Sequence, residues 1–473
     1  MKRYGLICLV LCLLLSVGSQ AQEDVKIVKK DFKVEKEGFR DAWENIRIGN
    51  DFYDLGGGVY PDALDHFRLA LVYNSENPEL NYKAGVCCLF GDSPEEALDY
   101  FLAAKKLNPE VSQDLLLLTG LAYQSRSDFG MALDCYNQYS DLFLESDLLN
   151  PIVNRYIRES NRAIEMAANT VNAEILNLGE SVNSVSDDYA PITTMNNSIL
   201  YFTSRRSINL KGERNSADMK FDENVFLATL KSGVWSDAGV AGKNVSTELN
   251  EGVLYVDPTN KSMYIYAGWS GNGDIFISES KKGKWTDPVN IGGGVNSQAR
   301  ETSFSIRADS NERFFTSDRK KGGFGGRDIW YSKRIKKEKW SKPVNLGDII
   351  NSTGNEESVW VSATGDTLWF SSNGHDGVGG YDIYTAFRNE AGIWSLPENM
   401  GMPVNSQWDD LFYRPIKGEG NRAYISSNRP GGNGGFDIYE VIIESVADTV
   451  LIDLVEPIID TIPQQPLNHL LKN

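Results

Sequence analysis

The feature that most narrows the folds open to this chain is one segment written repeatedly through its second half. The octets GNGDIFIS, GGRDIWYS, GGYDIYTA and GGFDIYEV place Asp274, Asp328, Asp382 and Asp437 at almost equal steps. A degenerate copy, DENVFLAT, sets Asn224 one slightly shorter step before Asp274. Other landmarks keep phase. Trp235, Trp285, Trp340 and Trp394 each open a segment such as WSKPVNLG, and a VNS-like triplet follows. An acidic residue then precedes an alternating apolar stretch: Asp188, Glu251, Glu301, Glu357 or Asp410. Each unit reads as four short strands of period two, as in TSFSIRA, RFFTSDR, DIWYSKR and KWSKPVNL, with turns rich in Gly, Asn and Lys. Four strands per repeat predict a β-propeller with one repeat per blade.

The count is five, over residues 173–445. The fifth unit has its first three strands, through DIYEVIIES, but no Trp segment after them. The missing piece stands at the front, where AEILNLGESVNS (173–184) matches KPVNLGDIINS (342–352). The N-terminal strand is therefore expected to complete the last blade, which would remove two open sheet edges.

Repetition also decides what the glycine-rich loops are. A phosphate loop needs Lys-Ser or Lys-Thr after the glycines and a helix beyond, and neither is present. A calcium site needs several oxygen ligands per loop, and each loop offers one or two. The glycines are expected to supply positive φ between the second and third strands. The aspartates that follow are expected to hold loop amides. No cofactor is expected. His66, His375 and His469 lie in three separate regions, so no histidine cluster for a metal is expected either.

Residues 37–169 carry apolar residues at three- and four-residue spacing, as in EEALDYFLAAKKL, and read as helix. Gly85, Ala97, Phe101, Ala104 and Pro109 recur in part, at one common offset, as Gly120, Ala132 and Tyr136. Ala63, Phe67 and Ala70 stand one repeat earlier than Ala97, Phe101 and Ala104, again at a common offset. This spacing resembles the tetratricopeptide repeat: small residues where two helices cross, an aromatic beside them, and a proline that stops the second helix. Three copies fit residues 40–145. In the first, GGGVY lengthens the turn and the helix-one glycine looks out of register. A further helix at 150–171 is expected to cap the stack, giving an α-solenoid from about residue 22 to 171.

The ends and the charge bound the setting. Lys2 and Arg3, the apolar run GLICLVLCLLLSVG and the small-residue site ending at Ala21 read as a secretory signal over residues 1–21. No later apolar segment is long enough to cross a membrane. A formal charge of -18 repels nucleic acid and anionic membranes. Cys87, Cys88 and Cys135 fall at apolar helical positions and are expected as buried thiols, not as a disulfide framework. The tail from 446 to 473 reads as a linker or docking peptide.

The propeller half resembles the TolB-like, WD40-like repeats of exported bacterial proteins, most specifically at SSNRPGGNGGFDIY (Ser426–Tyr439). Together with the helical repeats, it is similar to the front portion of PorE-type OmpA-family proteins of the Bacteroidota envelope. The resemblance implies an exported, non-catalytic scaffold in the periplasm or at the periplasmic face of the outer membrane. It also implies protein partners, with type IX secretion or gliding as the candidate setting. The OmpA-like domain of those relatives has no counterpart here, so peptidoglycan binding is not implied.

A secreted glycan-binding or glycan-hydrolysing propeller is the alternative. Its carboxylates would be the five acidic residues above, but a residue copied into every blade fits a strand-end hydrogen bond better than an acid–base pair. For partner binding, the candidates are Arg206, Arg319, Arg429 and Trp269 on a propeller rim, and Tyr82 and Tyr123 in the helical groove. The other reading, which is preferred, is that the arginines pair with carboxylates of neighbouring blades.

Overall fold

The computed structural model describes residues 25–142 and 150–444, apart from 195, 209–213, 216–218, 248, 269–272, 293 and 337–338. The leader, the C-terminal tail and Trp269 lie outside the described residues.

The first half is helical. After a short α1 (Lys29–Phe32) come α2 (Phe39–Tyr53), α3 (Tyr60–Tyr73), α4 (Pro78–Leu89), α5 (Ala97–Leu107), α6 (Leu115–Ser125), α7 (Phe129–Leu142) and α8 (Asn150–Ala168). Local chemistry sets their ends. Asn77 caps α4 by accepting the Leu80 N–H at 2.8 Å, with Pro78 in the first turn where its missing N–H costs nothing. Asn108, extended before Pro109, closes α5.

α2 packs on α3, α4 on α5 and α6 on α7, and each pair crosses at a glycine under an aromatic ring. A methyl group on Gly85 would stand 2.7 Å from Phe101, and one on Gly120 would stand 2.5 Å from Tyr136. Gly49 does the same job against Phe67, at 2.6 Å. The first repeat therefore keeps its glycine after all. It stands further ahead of Ala63 than Gly85 does of Ala97, because the Gly56–Gly58 turn is longer. Cys87, Cys88 and Cys135 are buried, unpaired thiols.

The second half is five antiparallel sheets in sequence order around a centre. Their innermost strands are Asp188–Thr193, Glu251–Val256, Glu301–Ile306, Glu356–Val361 and Asp410–Pro415. Ala173–Asn177 pairs antiparallel with Asp437–Ile443, from Ala173 opposite Ile443 to Asn177 opposite Tyr439, and so forms the outer strand of the fifth sheet. The repeated tryptophans wedge between blades. Trp285 meets Tyr201 of the preceding blade, Trp394 meets Phe314, and Trp235 meets Tyr424.

Each blade joins the previous one through a backbone bond at the start of its inner strand. Asp188, Glu251, Glu301, Glu356 and Asp410 donate their N–H groups to the carbonyls of Phe436, Glu223, Gly273, Arg327 and Tyr381, at 2.7, 2.8, 3.4, 2.9 and 2.7 Å. The fourth member of this ring is Glu356, not Glu357 as the sequence suggested. Two glutamates stand side by side there, and a one-residue slip turns a strand residue to the opposite face.

The glycine loops differ from expectation in their physics. Gly322 and Gly431 do have positive φ, at 82° and 87°. The paired glycines just before the aspartates are small for another reason: the next blade's corner presses on them. A methyl group on Gly325 would collide with the Ser352 and Gly354 carbonyls, and one on Gly434 with those of Ser184 and Ser186.

The helical half rests on the propeller face made of these loops. Val171 donates to the Met402 carbonyl at 2.7 Å. Gln407 Nε2 donates to Ser127 Oγ at 2.9 Å. Phe129, Ala163 and Met166 form an apolar cluster with Val378, packed by Met402.

Candidate functional site

The repeated residues come first, since they frame the site. Asp328 accepts the N–H groups of Phe324 and Gly325 at 2.7 and 3.0 Å, and Asp437 those of Asn433 and Gly434 at 2.5 and 3.1 Å. Asp382 accepts those of Val378 and Gly379 at 3.0 and 3.3 Å. Asp274 accepts Asn290 Nδ2 at 3.1 Å. A corner hydroxyl holds the acidic residue four places on in each blade, from serine in four of them, as Ser297 holds Glu301 and Ser406 holds Asp410, and from Thr247 onto Glu251 in the second. The corner asparagine clamps the third strand: Asn351 Oδ1 accepts from Ile329 N at 2.7 Å, and its amide donates back to the Ile329 carbonyl at 3.2 Å.

The three candidate rim arginines close these corners. Arg206 pairs with Asp188 at 2.7 Å, Arg319 with Glu301 at 2.9 Å and Arg429 with Asp410 at 2.6 Å. Each also donates to a corner carbonyl, of Val182, Val295 or Val404. The carboxylates are buried and the guanidiniums nearly so, each within its own blade and not across to a neighbour. Burial pushes the Asp188 and Glu301 carboxyls upward, and their arginines and serines oppose it.

Two blades have no arginine there: the second, whose loop carries Trp269 and Ser270 and lies outside the described residues, and the fourth. In the fourth, Gly374 and His375 stand where the arginine would be. His375 Nε2 donates to the corner carbonyl of Ile350 at 2.9 Å, and among the described residues no ion pair reaches Glu356. Among the described residues, Ser352 and Ser372 are the partners of Glu356, both on one oxygen, and burial pushes its carboxyl up to about 7.

Tyr82 is fully buried and donates to Asp114 at 2.8 Å, so the sequence-based placement of Tyr82 in an open groove is corrected: its ring is core. Tyr123 is half-buried against the same helical core.

The open space lies elsewhere. A cavity of about 1970 Å³ opens between the first two hairpins and the mouth of the propeller. Its helical wall carries Asn50, Tyr53, Lys83 and Phe90, and its floor carries unrepeated residues from the inner strands and corners. Half of that floor is apolar: Tyr189 and Phe436 cluster with the half-buried Leu411 and Phe412. The other half is polar. Arg327 is paired with Glu357, which also accepts from Thr302 Oγ1 at 2.7 Å. Asp409 accepts the Tyr381 N–H at 2.8 Å, and burial pushes its carboxyl up to about 6. Lys220 pairs with Asp187 at 2.8 Å.

On the helical wall, Lys83 is only 7% exposed. Its Nζ donates to Asn50 Oδ1 at 2.6 Å and lies 4.5 Å from the centre of the Tyr53 ring. Burial lowers its pKa from the usual lysine range. Three atoms of lining residues are buried without a hydrogen-bond partner among the described residues: Tyr53 Oη, Ser358 Oγ and Trp408 Nε1. Sequence reading missed this set. The signal it left was departure from the repeat, since Glu357, Leu411 and Tyr189 occupy one blade position and share no chemistry.

No protein-family model and no curated protein matches the chain. Solved structures do resemble it in parts. A TolB structure from Agrobacterium tumefaciens is 13% identical, with a TM-score of 0.34, over 57% of this chain and 88% of that one. A glycoside hydrolase is 9% identical, with a TM-score of 0.42, over 59% and 94%. The first tetratricopeptide domain of human RPAP3 is 17% identical, with a TM-score of 0.23, over 27% and 96%. At such scores these likenesses stand beside the chain's own blade and hairpin geometry and add no functional argument to it.

Proposed function

We propose that the chain is a non-catalytic scaffold that holds another protein in the cavity between its helical hairpins and its propeller mouth. The observation that carries this reading is the cavity itself, which draws one wall from each half. Of the candidate partner-binding residues that the structure describes, Arg429 lines it, and Tyr82, Tyr123, Arg206 and Arg319 do not. The repeated carboxylates favour the non-catalytic reading, because serines, backbone amides and, in three blades, arginines already occupy them. Of the unrepeated carboxylates on the floor, Glu357 and Asp187 are each in an ion pair.

The finer organisation is a leader at 1–21, a helical solenoid at 22–171, a propeller at 173–445 closed by its N-terminal strand, and a linker or docking tail at 446–473. The leader supports export, and the family resemblance supports the periplasm and a place in type IX secretion or gliding.

The test is site-specific photo-cross-linking in the full chain. A benzoylphenylalanine at Val185, exposed on the cavity margin, is expected to capture a discrete protein. The same group at Phe387, at the far end of a third strand, is expected to capture none. Equal capture at both positions, or turnover of aryl-glycosides by the purified chain, would replace this reading with a surface contact or with a glycan hydrolase.

A further inference from the structure

We infer that the central channel of the propeller holds a small inorganic anion, of the chloride class, between Arg414 of the fifth blade and Ser358 of the fourth. The site lies beneath the cavity floor and does not depend on what the cavity holds. It begins with a departure from the repeat. Strand register sets one residue of each inner strand opposite the third residue of the strand beside it: Ile192, Tyr255, Ser305, Trp360 and Arg414. Of these five, the fifth blade alone supplies a charge. Tyr255 and Trp360 come from blades that are not neighbours, yet they meet across the axis with ring centres 5.4 Å apart. The Arg414 guanidinium lies beside them, 4.7 Å from the centre of the Trp360 ring and 5.4 Å from that of Phe412.

Arg414 is only 4% exposed. Arg206, Arg319, Arg327, Arg388 and Arg429 of the same propeller each have a carboxylate within ion-pair distance. Arg414 has none within that distance among the described residues. Glu357, next to Ser358 in the chain, is taken by Arg327 and Thr302. Burial lowers the Arg414 pKa to about 9, with no neighbouring charge contributing, so the guanidinium stays charged at neutral pH. Its Nη1 donates to the carbonyls of Ser358 at 2.9 Å and Tyr413 at 3.2 Å, and both are neutral. Its Nε has no hydrogen-bond partner among the described residues, and neither has the Oγ of the buried Ser358. Two unanswered donors on residues in contact call for an acceptor. A water would supply the bonds and leave the charge; an anion supplies both. Burial this deep keeps out a bulky ion, and Ser358 and Phe412 line the cavity floor, which gives a small one its entry.

The experiment uses crystals and solutions of the full chain. Crystals soaked in sodium bromide and measured at the bromine absorption edge are expected to show an anomalous peak in contact with Arg414 Nε and Ser358 Oγ. In solution at constant ionic strength, replacing sodium gluconate by sodium chloride is expected to raise the melting temperature progressively, because the ion binds the folded chain. Arg414→Met is expected to lose both the peak and the chloride effect. Ser358→Ala keeps the guanidinium and is expected to need about tenfold more chloride for the same rise; it carries the test if Arg414→Met does not fold.

No bromide peak at Arg414, or a water in its place, overturns the inference. So does an equal melting temperature in chloride and gluconate. A peak in the crystal without an effect in solution is an adventitious ion only, with the same consequence. A chloride effect that Arg414→Met and Ser358→Ala both leave unchanged belongs to another site and also overturns it.

Discussion

Gly434→Ala tests the claim that the glycine pairs are small because the next blade presses on them. The new methyl would land on the Ser186 carbonyl and 2.7 Å from that of Ser184, and both are backbone atoms of the first blade. Nothing there is the free end of a flexible side chain, so relief requires the fifth and first blades to separate. Overpacking of this kind costs ~3 kcal/mol at the upper end of its usual range. The seam also holds the bond from Asp188 N to the Phe436 carbonyl at 2.7 Å, and that from Phe436 N to Asp187 Oδ1 at 3.2 Å. Losing either adds ~1 kcal/mol. For a domain of this size, the total of ~4 kcal/mol corresponds to a fall in melting temperature of roughly 8–16 °C.

The control is Gly420→Ala, where an added methyl meets nothing within 4 Å. It should be neutral, or stabilise by ~0.5 kcal/mol through the unfolded chain. Differential scanning calorimetry of both variants decides the matter. If Gly434→Ala melts within about 2 °C of the parent, the blades are not in hard contact there and the explanation fails.

Three other expectations follow from the same geometry. Arg319→Ala strands the fully buried Glu301 and should destabilise the propeller by ~3 kcal/mol in urea unfolding; an unchanged midpoint would return Arg319 to the list of free surface cations. Glu356 and Asp409 hold their protons more tightly folded, near 7 and near 6, than unfolded, near 4. Their contribution is therefore full below about pH 4 and is lost as pH rises through about 6 to 7, so the propeller should melt lower at pH 8 than at pH 5, and Glu356→Gln should flatten that slope. Val378→Asp places a carboxylate in the apolar seam with Phe129, Ala163 and Met166, and should enlarge the radius of gyration in small-angle scattering while both halves keep their circular dichroism.

Period and phase were legible in the sequence because they are imposed on every blade at once. A period-two strand between glycine turns has few homes, so the helical first half and the five blades could be read without coordinates. What could not be read depends on one residue's face or on two distant segments meeting. Glu356 and Glu357 are neighbours of like chemistry, and only the ring of inter-blade bonds shows which of them closes the corner. Tyr82 and Tyr123 both lie on the first helix of a hairpin, yet one donates to a buried aspartate and the other is half-exposed. The cavity is harder still, since its walls come from opposite halves of the chain and no local pattern encodes their meeting.

The fourth blade shows how a departure from the repeat carries information the repeat cannot. Where three blades answer their buried carboxylate with an arginine, this one places Gly374 and His375, which restore the corner carbonyl's partner but not the charge. A carboxyl left in that position is driven toward its protonated form, because burial without a cation favours the neutral state. The neighbouring Glu357, turned to the opposite face, takes Arg327 as its cation. Two adjacent glutamates thus acquire opposite electrostatics: one is buried and short of a positive charge, and the other is ion-paired at the mouth of the cavity. The inner strand of this blade thus also brings a paired carboxylate, Glu357, to the cavity floor.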